Sequence, residues 1–120
     1  MSPVASARPT TAYKVLTAEQ MRDLEADAFQ GAPVDLADGY IHLSTRDQLT
    51  ETVDKHFAGQ SDLWVAAIDL EALGDAVRWE ESRGGALFPH IYGAMPLEVV
   101  VAYSPLERDD EGNVRLPVAG

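Results

Sequence analysis

The feature that most constrains this chain is the stretch Asp38–Thr45, where a turn, a strand and the start of a helix follow one another. Polar and apolar residues alternate strictly through its middle, so an extended backbone separates them onto two faces. The polar face carries Tyr40, His42 and Ser44. A phenol ring, an imidazole and a hydroxyl on one strand face are typical of a wall that faces a ligand. The pattern alone does not identify the ligand.

The composition is that of a single globular domain of 120 residues. Residues 1–11, rich in Ser, Pro, Ala and Thr, are predicted to be a disordered leader, and residues 12–120 a single domain. The chain has no cysteine, which excludes disulfides, thiolate metal sites and a thiol nucleophile and favours the cytoplasm. No apolar run approaches the length of a membrane span, so no membrane association is expected.

The chain is strongly acidic. Nine Lys and Arg residues stand against 20 Asp and Glu residues, which gives a formal net charge of −11. Such a surface repels phosphate backbones, so general binding of nucleic acid is not expected. The acidity is most simply interpreted as a solubility feature. A small phosphorylated ligand stays open, provided that the fold forms a local cationic pocket.

Two capping boxes predict two helices in the N-terminal half. The segments Thr17–Gln20 and Thr45–Gln48 each place a threonine three residues before a glutamine, and apolar residues follow each at helical spacing. The first helix is expected to end just before Phe29. Between the helices, Gly31–Gly39 contains Gly and Pro residues and predicts a loop.

Strands dominate the rest of the chain. Tyr13–Leu16 reads as a first strand, Leu63–Ile68 as a central strand covered on both faces, and Val77–Glu80 as an alternating strand. Val99–Tyr103 is rich in β-branched residues and predicts a late strand. Two early helices followed mainly by strands indicate an α+β fold and not repeating βαβ units.

A second candidate stretch is Glu80–Gly85. Glu80 lies on the outward face of its predicted strand, and Arg83 offers a planar fork of donors to an anion. The two glycines that follow would let a ligand approach the backbone. The alternative is a surface salt bridge beside an ordinary loop, because a double glycine lacks the spacing of a phosphate-binding fingerprint.

The third candidate stretch is Phe88–Gly93. His90, taken as exposed and next to a proline, and Tyr92 share a strand parity, and together they suit stacking on a planar ring combined with a hydrogen bond. Phe88 is interpreted instead as a buried core residue. Strand histidines such as His42 are commonly structural, so each of these assignments has a purely structural alternative.

Metal binding and serine nucleophile chemistry find little support in the spacing. The three histidines, His42, His56 and His90, are far apart and lack the pattern of a familiar metal site, so no metal is predicted. Ser44 is not part of a nucleophile elbow. Ser44 and Thr45 also compete as caps of the second helix, so we expect one to cap and the other to face the cleft.

Three segments carry a family resemblance. Tyr13–Leu16, Pro33–Thr45 and Arg78–Gly93 resemble the small bacterial domain of unknown function 952, and the likeness covers Ala12–Pro105. The family resembles the ADP-ribosyltransferase superfamily. This implies a split, mostly antiparallel sheet with two helices in the N-terminal half and a cleft that could hold NAD. Ile41–Ser44 is similar to a segment of the RNA 2′-phosphotransferase of that superfamily.

The resemblance implies roles for the candidate residues. His42 and Glu80 would be the catalytic residues. His42 would orient a ribose or a phosphate, Glu80 or Arg83 would be the charged group at the reacting end, and Tyr92 would stack on a base. The resulting hypothesis is a cleft that binds a nucleotide-like small molecule of the NAD or ADP-ribose type, with transferase chemistry as an option. Its remaining ligand-binding residues would be Tyr40, Ser44, Arg83 and His90. The alternative is a non-enzymatic binding or interaction module, and the oligomeric state stays open.

Overall fold

The computed structural model describes residues 9–82 and 85–117. Over this part of the chain, four α-helices and six strands alternate irregularly. In chain order they are β1 (Thr11–Thr17), α1 (Ala18–Glu25), α2 (Pro33–Asp38), β2 (Ile41–His42), α3 (Arg46–His56), β3 (Leu63–Asp69), α4 (Leu70–Leu73), β4 (Val77–Glu81), β5 (Leu87–Ile91) and β6 (Val100–Pro105). Short 3₁₀ turns at Gly74–Ala76 and Leu97–Val99 precede β4 and β6.

The strands form two separate three-stranded sheets. The first has the order β1-β3-β6 and the second β2-β5-β4, and their neighbouring strands all pair antiparallel. Within the described residues, an isolated bridge links the two sheets, because Tyr13 and Ser44 exchange backbone hydrogen bonds of 2.8 and 2.9 Å. The protein is therefore an α+β domain with split antiparallel sheets, as the sequence predicts at this level.

The packing of the core accounts for the alternation of polar and apolar residues from Tyr40 to Ser44. Ile41 and Leu43, the apolar residues of the alternating stretch, are 4% and 3% exposed and pack with Leu16, Ile68 and other buried residues of the β1-β3-β6 sheet. A second cluster lies on the opposite side of that sheet, under α3, where Leu49, Val53, Val15 and Val65 are buried. The β3 strand is therefore covered on both faces, as its continuous apolar run predicts.

The two predicted helices are present as α1 and α3, and the capping glutamines explain where they begin. In α1, Thr17 Oγ1 accepts from the Gln20 amide at 3.1 Å and Gln20 Oε1 accepts from the Thr17 amide at 3.0 Å. The prediction that α1 continues almost to Phe29 is wrong. It ends at Glu25, because Asp27 takes a left-handed backbone conformation with φ of 58°.

The prediction of a plain loop over residues 31–39 is also wrong, because the segment contains α2. Pro33 supplies a preset φ at the first helical position, and Asp35 Oδ2 accepts from the Ala32 amide at 2.8 Å. Gly39 ends the helix at a φ of 89°, a conformation in which side chains with a Cβ are strained. Helix α4 is a single turn capped by Asp69, in agreement with the short capped turn that the sequence predicts over Asp69–Gly74.

The β2 strand is shorter than the predicted run from Tyr40 to Ser44. Leu43 donates its amide hydrogen to the Pro89 carbonyl at 3.1 Å, but Pro89 has no amide hydrogen to return. The β2-β5 ladder therefore ends at His42, and the chain crosses to β1 at Ser44. Tyr40 and Ser44 flank the strand on either side.

The segment predicted as a disordered leader lies largely outside the described residues, which begin at residue 9. The β1 strand opens at Thr11, and Leu70 donates to the carbonyl of Thr10 at 2.9 Å. Ordered pairing thus starts one residue before the predicted boundary at Ala12. No helix in the described part of the chain is long and apolar enough to cross a membrane.

Candidate functional site

The polar face of the β2-β5-β4 sheet gathers most of the predicted site residues. Directly paired residues of antiparallel strands share a face, and His42 pairs with His90, which pairs with Arg78. Glu80, directly opposite Phe88, lies two residues from Arg78 and so shares this face. The sheet register therefore unites side chains that are up to 48 positions apart in sequence (His42 to His90).

Four aromatic rings cluster on this face around Tyr40. Its ring stacks on that of His90, with 4.3 Å between centroids and 28° between planes. The Tyr40 ring also lies 4.7 Å from His42 and 5.1 Å from Tyr92. His42 and His90 meet edge to face at 5.1 Å. Packing thus restricts the orientation of both imidazoles before any ligand binds.

Glu80 stands at the centre of a hydrogen-bonded group with His90 and Tyr92. Its Oε1 lies 2.7 Å from His90 Nδ1, and the Tyr92 hydroxyl donates to Oε1 and Oε2 at 2.8 and 3.0 Å. The hydrogen bond from His90, with that from Tyr92 next, holds the pKa of Glu80 below its usual value. Conversely, donation to Glu80 raises the pKa of Tyr92.

His42 is held between two carboxylates. Asp35 Oδ1 lies 2.7 Å from its Nδ1 and accepts its backbone amide hydrogen at 3.0 Å, while Asp38 Oδ2 lies 3.0 Å from Nε2. Both carboxylates belong to α2, which the sequence prediction treated as a loop. Both ring nitrogens of His42 thus lie within hydrogen-bond distance of protein carboxylates, so its ring is held in place from two sides.

A buried ion pair between Lys14 and Asp35 holds His42 in place. Lys14 Nζ lies 2.9 Å from Asp35 Oδ2 and also donates to the carbonyl of His42 at 3.0 Å. Lys14 and Asp35 are 6% and 2% exposed. Burial lowers the pKa of Lys14 in spite of Asp35. Burial would raise the pKa of Asp35, but the charge of Lys14 and the hydrogen bonds to Lys14, His42 and Ala32 outweigh it, so the pKa of Asp35 is lowered.

Lys14 and Asp35 are the site residues that the sequence reasoning missed. A signal existed for Lys14, since a lysine inside the strand Tyr13–Leu16 must either reach solvent or find a buried acid. Asp35 had no comparable signal, because an aspartate in a Gly- and Pro-containing segment is ordinarily a turn residue.

A cavity of about 610 Å³ opens beside this face, between β1, α3, the start of α2 and β5. Lys14 and all three histidines of the chain line it, together with the rings of Tyr13, Phe57 and Phe88, and its described lining residues include no aspartate or glutamate. Ser44 lines it too and shares a hydrogen bond of 2.8 Å with Thr52 on α3. Thr45 is the N-cap residue of α3, while its neighbour Ser44 is the one that lines the cavity.

The predicted residues divide into two groups around this cavity. His42, Ser44 and His90 line it, whereas Tyr40, Glu80 and Tyr92 lie behind them and contact His90 directly or through one another. The expectation that His90 is exposed is wrong. It is 3% exposed, because Tyr40 covers its ring and Glu80 takes its Nδ1. Phe88 is buried as expected. Arg83 lies outside the described residues.

The acidic side chains of the site contact histidine rings, His42 between Asp35 and Asp38 and His90 beside Glu80. Over residues 9–82 and 85–117, no group of three or more His, Cys, Asp or Glu side chains is placed to hold a metal ion. The carboxylates around His42 and His90 are used in binding imidazoles. In chemical terms the arrangement offers two carboxylate-bound imidazoles and an aromatic wall.

Fold and site together define a small α+β domain with a histidine-lined cavity between two antiparallel sheets. The model of the family described as Protein of unknown function (DUF952) matches residues 15–103, and the chain belongs to this family. A search of curated proteins finds no significant match.

Solved structures of one bacterial protein share this fold. The crystal structure of protein CC0527 from Caulobacter crescentus is 41% identical, with a TM-score of 0.79, and the match covers 88% of this chain and 94% of that one. Its solution NMR structure is 41% identical with a TM-score of 0.73, over 88% and 91% of the two chains.

Proposed function

We propose that the cavity binds a small anionic molecule of the nucleotide type, such as NAD or ADP-ribose. The carrying observation is the charge of its lining. In a chain with a net charge of −11, the described lining residues include Lys14 and every histidine but no carboxylate. Asp35 and Glu80, the carboxylates that bind Lys14, His42 and His90, lie outside this lining, so the cavity wall itself repels an anion less than the acidic surface elsewhere does.

The size and the apolar part of the lining favour a ligand with a ring system. A cavity of 610 Å³ falls within the range of about 300–1,000 Å³ that is usual for small-molecule sites. Tyr13, Phe57 and Phe88 supply aromatic surface on which a planar base could pack. The resemblance of Ile41–Ser44 to a phosphotransferase segment adds independent support for a ribose or phosphate group beside His42.

The geometry assigns supporting roles to the residues for which a catalytic role was predicted. His42 would donate to the ligand's oxygen atoms only by exchanging its bond to Asp38, whose side chain is 43% exposed. Glu80 acts through His90 and does not line the cavity. Binding is therefore the primary function in this proposal, and transferase chemistry is a further option that depends on binding.

The test is thermal stabilisation by a ligand series. NAD, ADP-ribose and AMP are expected to raise Tm, because a ligand at 100 times its Kd adds about 2.7 kcal/mol to the stability of the native state. Adenosine, which lacks the phosphate, serves as the neutral comparison and should have a smaller effect.

A matched pair of charge variants locates the binding. Gln60→Glu places one carboxylate in the cavity lining, whereas Gln30→Glu makes the same change at an exposed position outside it. Only Gln60→Glu should weaken binding of the phosphorylated ligands. Stabilisation by inorganic phosphate or simple carboxylates without any nucleotide effect would reject the nucleotide assignment. A flat response to every compound would favour the non-enzymatic interaction module.

A further inference from the structure

His90 differs from His42 in how its two ring nitrogens are used. Its Nδ1 lies 2.7 Å from Glu80 Oε1, but Nε2 has no hydrogen-bond partner among the described residues. In that part of the chain no buried side-chain nitrogen or oxygen lacks a partner, so Nε2 reaches accessible space although the residue is 3% exposed. Since His90 lines the cavity, we take the accessible space at Nε2 to be part of the proposed ligand site.

We propose that His90 is the proton-accepting residue of the cavity and that Glu80 is its positioning residue. A carboxylate can only accept hydrogen bonds, so Glu80 places the imidazole proton on Nδ1 and leaves the lone pair on Nε2. Tyr92 holds Glu80 through both carboxylate oxygens, and Tyr40 holds the ring plane by stacking. A carboxylate on one imidazole nitrogen with the other free is the arrangement used for general-base catalysis.

The hydrogen-bonded pair of His90 and Glu80, here called the dyad, also narrows the chemical class of the ligand. This inference about the ligand rests on the proposed function. A lone pair at Nε2 selects for a hydrogen-bond donor, so the anionic ligand should present a hydroxyl group, as a ribose does, or hold a water molecule there. In the proton transfer the O–H bond breaks, an N–H bond forms at Nε2, and Glu80 stabilises the resulting imidazolium. The hydroxyl or water oxygen keeps the electron pair of the broken O–H bond and becomes nucleophilic.

The first experiment reads the tautomer directly and needs no ligand. Nitrogen-15 NMR of the histidine rings at pH 8, above the usual pKa of histidine of about 6.5, should show His90 with a protonated Nδ1 and an unprotonated Nε2. An unprotonated Nδ1, or a ring protonated on both nitrogens at that pH, would overturn the proposal.

Two neighbouring glutamates provide the matched variants. In Glu80→Gln the amide group can donate to Nδ1, so the proton should move to Nε2 and the Nε2 signal should change to the protonated type. Glu81→Gln removes the same charge from the opposite face of β4, where residue 81 pairs with Leu87, and should leave the His90 spectrum as in the wild type. Equal spectra for all three proteins would remove Glu80 from the proposal.

Chemical modification tests whether Nε2 opens into the cavity. Diethyl pyrocarbonate acylates an imidazole nitrogen that has a lone pair, and mass spectrometry of peptides assigns the modified residue. His90 should be modified in the wild type and about tenfold more slowly in Glu80→Gln, while exposed His56 reacts at the same rate in both. Full reaction of His56 without any reaction of His90 would refute an accessible Nε2. If no nucleotide raises Tm but NMR shows the expected tautomer of His90, the nucleotide assignment is rejected. The proposed pairing of His90 with Glu80 is then still supported.

Discussion

Replacing Asp35 should be far more damaging than replacing its partner Lys14. Asp35 accepts from four groups, namely the amides of Ala32 and His42, His42 Nδ1 and Lys14 Nζ, at distances of 2.7 to 3.2 Å. Asp35→Asn leaves a buried ammonium unneutralised and turns an NH₂ group toward these donors, at an expected cost of about 3–5 kcal/mol. Lys14→Met keeps an apolar stem of similar length and leaves Asp35 with its other three donors, at a cost of about 1.5–3 kcal/mol.

Urea unfolding followed by the fluorescence of Trp64 and Trp79 measures both costs. Asp54→Asn is the matched control, since Asp54 makes a 2.8 Å ion pair with Arg108 but both side chains are more than a third exposed. Its expected cost is about 0–1 kcal/mol. The reasoning fails if Asp35→Asn costs no more than Asp54→Asn, or if Lys14→Met is the more destabilising of the two core variants with unchanged m-values.

Two further predictions concern the same corner of the fold. Because the folded-state pKa of Asp35 lies below its unfolded value of about 3.9, its contribution to stability is complete above that pH and is lost as the pH falls through the folded pKa. Tm measured from pH 5 to 2.5 should fall more gently for Asp35→Asn than for the wild type, and parallel curves would contradict this. Gly39→Ala should cost about 1–2 kcal/mol in urea unfolding because of the φ of 89°, and Gly39→Asn should cost less; equal costs would argue against backbone strain.

Local signals in the sequence predicted the parts of the fold that depend on neighbouring residues. The capping glutamines specify where α1 and α3 begin, and both bonds of the Thr17 box are within the same turn. Strand alternation correctly buries Ile41 and Leu43 on the face opposite His42 and Ser44, although Leu43 also contributes to the cavity lining. These features follow from backbone geometry, because side chains return to the same face every two residues in a strand and about every four residues in a helix.

The remaining features depend on partners that are distant in sequence. Helix α2 is held by the bond between Asp35 and Lys14, 21 positions away, so its own residues read as a loop. The burial of His90 needs both Tyr40 and Glu80, and only the sheet register reveals that they meet. The sequence makes His42 a catalytic candidate because nothing local shows that Asp35 and Asp38 lie within hydrogen-bond distance of its two ring nitrogens.

Pro89 has no backbone amide hydrogen, and this absence influences where the cavity forms. With an ordinary residue at position 89, an amide hydrogen would face Leu43, and continued pairing would keep residues 43 and 44 beside β5. The segment is instead free to turn away at Leu43 and join β1 through Ser44. The cavity lies where the segment after His42 diverges from β5, and Leu43 and Ser44 line it. Pro89 thus contributes to the location of the candidate site through its backbone, although it is not among the described residues that line the cavity.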